Sequence, residues 1–107
     1  MPYLAGRTAV VSARDARFAQ SGPARLLPAL HNFYYDITQS ASPPTFAALR
    51  NLVPITRILY GSDRPFAAEN QVKLAMDDFA GLDLTDEERV AIIRDNARAL
   101  FPRFGTA

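Results

Sequence analysis

Arg57-Ile58-Leu59-Tyr60-Gly61-Ser62-Asp63-Arg64-Pro65 is the stretch on which the fold turns. Ile58, Leu59 and Tyr60 form a β-favouring apolar run too short for a helix, so they predict a buried strand. Gly61 then allows the backbone to turn or to be approached closely, and Pro65 keeps the strand from continuing. Asp63 therefore falls just past the C-terminal end of a strand, where α/β proteins gather their site residues. A plainer reading makes Ser62 and Asp63 the turn and N-cap residues of the next helix. On these residues alone both readings stand.

Working upstream, Asn32-Phe33-Tyr34-Tyr35-Asp36-Ile37-Thr38 is rich in aromatic and β-branched residues and predicts a second strand, again with a carboxylate, Asp36, near its C-terminal end. Between the two strands, Ser42 is placed to cap a helix that tolerates proline in its first turn. Phe46, Leu49 and Val53 fall at i, i+3 and i+7, one face of that helix, and Pro54 closes it. Strand, helix and strand follow one another over about 30 residues, the length of a βαβ unit. Such a crossover implies parallel strands in a sheet covered by helices.

Downstream, a helix from about Glu69 carries Val72, Ala75, Met76 and Phe79 on one face, a stripe expected to pack on the sheet, and Gly81 ends it. Thr85 and Glu88 have the spacing of a capping box, with acidic residues at the positive end of the helix dipole. Val90, Ile93, Ala97, Leu100 and Phe101 are the expected apolar face of this last helix, with Asn96 capping a second short segment and Pro102 stopping it. At the other end, Pro2 to Ser12 suits a modest helix, Arg14 to Pro23 a surface connection or a frayed helix, and Leu26 to Leu30 a helical turn leading to His31. An apolar start without a polar tail hints that something precedes it.

Two strands cannot complete a parallel sheet, because both would be edges whose apolar faces need further strands beside them. Residues 1–107 thus read as a single partial domain, a piece of an α/β fold. Composition agrees: of 107 residues, 49% are apolar, ample for a core, and the net charge of +1 offers no field for nucleic acid or an anionic membrane. The absence of cysteine excludes disulfides, thiolate metal sites and a thiol nucleophile. No run approaches the ~20 apolar residues of a membrane span, and no signal peptide opens the chain, so the cytoplasm is expected.

The chemistry on offer is narrow. A single histidine, no Gly-x-Ser-x-Gly elbow and no base beside Ser62 leave nucleophilic catalysis without its parts, and phosphate-binding glycine patterns are absent. A metal site needs three or four ligands, and the candidates are Asp63, Asp36 and His31. His31 precedes its strand, which puts it at the opposite end from Asp63, as a surface or packing residue. Asp36 lies at the correct end but is equally suited to bonding loop amides. Asp63 remains, and one carboxylate cannot hold a catalytic metal.

These residues resemble a known family. Gly61-Ser62-Asp63-Arg64-Pro65-Phe66 is similar to the end of the eighth strand in amidohydrolase-related (amidohydrolase family 2) proteins, the (β/α)-barrel hydrolases and decarboxylases that include aminocarboxymuconate-semialdehyde decarboxylase. Tyr34 to Thr38 with Ser40 to Pro43 resembles the seventh strand and its loop. Ile93 to Ala97 with Leu100-Phe101-Pro102 resembles the closing helix, and Pro2 to Arg7 the helix after a His-x-Gly-Gly motif. The resemblance implies the C-terminal portion of a (β/α)8 TIM barrel, its last two strands with their helices.

It also implies a parent enzyme that is a metal-dependent hydrolase or non-oxidative decarboxylase (a lyase) of a small carboxylic acid. In that family the aspartate matching Asp63 is a catalytic metal ligand, usually for zinc, beside a His-x-His pair and a further histidine. Those histidines and the acid/base histidine of His-x-Gly-Gly are absent here, and a barrel takes about 250 residues. Alone, the chain is therefore expected to be inactive and to bind no metal tightly. The alternatives are a small non-catalytic interaction module that self-associates through its open sheet edges, and one half of a split enzyme that pairs with an N-terminal partner.

Overall fold

The structure is a computed structural model and describes residues 2–21 and 26–105; Gly22 and Pro23, expected in the surface connection, lie outside the described residues. Three helices precede the sheet: α1 (Pro2–Ser12), α2 (Ala16–Ser21) and α3 (Leu26–Leu30). Next come β1 (Tyr35–Asp36), α4 (Pro43–Leu52) and β2 (Ile58–Leu59). The strands pair in parallel, Tyr35 opposite Ile58 and Asp36 opposite Leu59, as the crossover spacing predicts. Helices α5 (Glu69–Ala80), α6 (Asp86–Val90) and α7 (Asn96–Leu100) follow.

Both strands are shorter than their apolar runs. The Ile37 amide still donates to Leu59 O at 3.0 Å, but the Thr38 amide turns back to Asp36 Oδ1 at 2.6 Å and the Ser40 amide to Ile37 O. This local carboxylate turn outcompetes further extension. On the other strand, Ile55–Arg57 is wound as a 3₁₀ turn, and the Tyr60 amide donates to the Ile92 carbonyl (3.2 Å) rather than to a neighbouring strand.

The core gathers where the spacing places it. Phe46, Leu49 and Val53 are buried together with Ile37, Ile58, Phe79, Leu82 and Ile92. Tyr60 lies tilted against Phe79, ring centroids 5.5 Å apart. On α5, Val72, Ala75 and Phe79 are buried, Phe79 within this core, but Met76 is 55% exposed. The apolar stripe expected of that helix is therefore narrower than its spacing suggests, with Met76 outside it. Thr85 and Glu88 form their capping box, Glu88 N donating to Thr85 Oγ1 at 3.2 Å and Thr85 N to Glu88 Oε2 at 3.0 Å. Ser42 occupies the N-cap of α4, but its hydroxyl donates to Thr45 Oγ1 and accepts no helix amide.

The last helix departs most from its expected periodicity. Between α6 and α7 a π-helical turn, Ala91–Asp95, lets the Asn96 amide reach the Ala91 carbonyl, five residues back. The extra residue rotates the apolar face: Ile92 is buried, whereas Ile93 and Phe101 point outward, 53% and 48% exposed. The same rotation carries Asn96 inside. It does not cap its own helix; its side-chain amide donates to Ile55 O (2.7 Å) and Ile58 O (2.8 Å). Since Leu59 bonds toward β1, the main-chain groups of Ile58 and Tyr60 face the outer edge of β2. Asn96 and Ile92 satisfy that edge.

Candidate functional site

Parallel pairing sends the segments after β1 and after β2 out of the same end of the sheet. They come into close contact at Gly61. A Cβ there would lie 2.5 Å from Thr38 Oγ1, 2.8 Å from Asp36 Cγ and against Asp36 Oδ2, so any side chain would displace the Asp36 and Thr38 side chains. Gly61 does not have positive φ. Its use is close approach, one of the two roles its sequence position allows.

Past this contact the two segments each contain a residue in left-handed conformation, Gln39 (φ 52°) and Asp63 (φ 59°). Gln39 Nε2 donates to Asp63 Oδ2 at 3.3 Å across the gap. Asp63 is exposed, and its carbonyl accepts from the Ala67 amide at 2.8 Å, closing a turn around the cis Arg64–Pro65 bond. The Arg64 guanidinium meets Glu69 at 3.3 Å. Asp63 does not cap α5: Ala68 holds that position, with its amide bonded to Gln71 Oε1 at 3.1 Å. Between Gln39 and α5 lies an open groove of about 220 Å³, lined by Gln39, Gln71, Leu74, Ala75 and Asp78.

Of the other candidates, Asp36 belongs to this end, with Oδ1 engaged by the Thr38 amide and hydroxyl. His31 is exposed in the turn that precedes β1, away from Asp63. The shifted titrations also lie elsewhere. Burial raises the Tyr35 phenol, whose hydroxyl donates to Leu30 O at 2.9 Å. The hydrogen bond from the Arg94 guanidinium lowers Asp95. Gln39 went unrecognised in the sequence, because nothing marks a glutamine in a Thr-Gln-Ser loop as left-handed or as a partner for a carboxylate 24 residues away.

Among the described residues no three His, Cys, Asp or Glu side chains gather into a metal-ligating group. Asp63 supplies one exposed carboxylate, and the donors beside it are amides and a carboxylate already held by Thr38. This donor set does not by itself fit a metal ion.

The sequence profile of the amidohydrolase family matches residues 6–103. The chain belongs to the amidohydrolase family. As an amidohydrolase it is similar to "Decarboxylase yanB" of Aspergillus niger, 32% identical over 97% of this chain and 29% of the relative. It is also similar to "6-methylsalicylic acid decarboxylase" of Penicillium expansum, 28% identical over 96% of this chain and 32% of the relative. A crystal structure of an amidohydrolase II superposes with a TM-score of 0.65 at 28% identity, covering 84% of this chain and 31% of that one. The chain thus spans about a third of the length of the curated relatives that it matches, 29% and 32%. Amidohydrolases of this family generally work with a divalent metal. No helix among the described residues is long and apolar enough to cross a membrane.

Proposed function

We propose that residues 1–107 are a partial domain, the C-terminal portion of a (β/α)8 barrel amidohydrolase acting on a small carboxylic acid by decarboxylation or hydrolysis. Asp63 is its contribution to the active site. The observation that carries this reading is the position of Asp63: exposed, past the C-terminal end of β2, in a parallel βαβ unit of a chain that the amidohydrolase profile matches almost throughout. Two relatives with decarboxylase names favour decarboxylation. A metal, with zinc first in expectation, needs ligands from the rest of the barrel, since the described residues bring one carboxylate. That remainder is the partner this chain requires, on the same polypeptide or another, in the cytoplasm.

A chimera tests the proposal. This chain replaces the matching segment of the Penicillium 6-methylsalicylic acid decarboxylase, and bound metal and decarboxylation are measured on the folded product. Retained metal and turnover, both lost on Asp63→Asn, are expected. A folded chimera whose metal content and activity ignore Asp63→Asn overturns the assignment. The rival reading, a non-catalytic module, predicts a folded chimera with neither metal nor activity.

A further inference from the structure

We propose that Gln39 is a positioning residue for Asp63, holding one carboxylate oxygen so that the other faces the site. The inference deepens the proposed function and rests on it for its catalytic meaning. Left-handed φ is uncommon for residues other than glycine, and a long side chain such as glutamine has no local bond to offset its cost. Here two such residues occur at matched places, three residues past Asp36 and four past its partner Leu59. Off-region backbone clusters at functional sites, where surrounding structure over-determines it. The surrounding structure is visible: Gly61 packs on Asp36 and Thr38, so the segments bearing Gln39 and Asp63 are held in fixed relation.

The result is directional. Gln39 Nε2 donates to Oδ2 of Asp63 at 3.3 Å, and Oδ1 has no hydrogen-bond partner among the described residues. A carboxylate restrained at one oxygen presents the other with less rotational freedom to lose. A glutamine amide is a neutral donor at every pH, so it orients Asp63 without competing for its proton or adding charge. Gln39 also lines the groove beside α5, so the Gln39–Asp63 pair sits at the edge of a space open to a ligand.

The first test uses the full 107-residue protein, ¹⁵N-labelled. The Gln39 side-chain amide signals, assigned by their loss in Gln39→Gly, should move on Asp63→Asn and stay in place on Asp78→Asn. Signals indifferent to Asp63→Asn overturn the inference. The second test uses the chimera. Gln39→Leu and Gln39→Gly should each lower kcat by about tenfold, the scale of a lost hydrogen bond to a charged group, with KM little changed. Glycine adopts the same backbone without strain, so an equal loss in both variants assigns the effect to the amide and not to the turn. Gln39→Glu, a like charge facing Asp63, should lose most.

A kcat that ignores Gln39→Gly while Asp63→Asn abolishes turnover overturns the positioning role. Failure of the underlying reading looks different. The amide then responds to Asp63→Asn, supporting the pairing, but the chimera's turnover is insensitive to Asp63→Asn.

Discussion

The two ends of β2 are built on opposite terms. At its N-terminal end Asn96 is 6% exposed and donates two hydrogen bonds shorter than 3 Å, and Ile58 is fully buried beside it. At its C-terminal end Asp63 stands exposed in a left-handed turn, tied to the neighbouring segment by a single 3.3 Å bond. The first end is over-determined by packing and by satisfied buried polar groups. The second is fixed by backbone geometry and that one side-chain bond, and leaves a charged oxygen open. Parallel α/β folds divide their strands in this way, with stability at one end and chemistry at the other.

Mutations at the buried end should break that contrast most strongly. Ile58→Ala removes a fully buried side chain from the core cluster and should cost about 2–5 kcal/mol. Asn96→Leu strands the Ile58 carbonyl and leaves the Ile55 carbonyl with only the Ile58 amide, at a cost of about 1–3 kcal/mol. Urea denaturation midpoints measure both, and an Asn96→Leu variant as stable as the parent would show that the edge of β2 needs no closure.

Gly61→Ala probes the junction between the ends. Its Cβ meets the side chains of Asp36 and Thr38 rather than backbone, so relief by side-chain movement holds the penalty to about 1–3 kcal/mol. The same movement should disturb the Gln39–Asp63 pairing, seen as a change in the Gln39 amide signals.

A smaller effect is expected in alkali. The Tyr35 phenol is raised by burial, so its contribution is fully present below the unfolded value of about 10 and is lost as pH rises through the folded value. Tyr35→Phe should flatten that alkaline fall in the denaturation midpoint. The opposite sign applies to Asp95, lowered by its bond from Arg94: its contribution is present above the unfolded carboxylate value and fades as pH falls through the folded one. Least of all, Asp63→Asn should change stability by less than about 0.5 kcal/mol while abolishing metal binding in the chimera. A large loss of stability would make Asp63 a structural residue and erase the contrast.

Much of this arrangement is legible in the sequence. The apolar spacing of Phe46, Leu49 and Val53, the Thr85–Glu88 capping box and the strand–helix–strand order are local patterns, and local patterns survive into the fold because they rest on neighbours a few residues apart. The position of Asp63 beyond a strand could be read in the same way. Met76, Ile93 and Phe101 could not, since an apolar residue is buried only where something lies over it, and the π turn reassigns which face of the last helix looks inward.

By itself, then, the sequence determined where the strands and helices form and which end of the sheet receives its carboxylates. Only the tertiary structure decided that Asn96 closes the edge of β2, that Gly61 serves close approach, and that Gln39 meets Asp63. The physical reason is range. Each of these contacts joins segments more than 20 residues apart, and its partner is chosen by the register of the sheet and the extra residue of the π turn. Neither leaves a periodic trace in the chain.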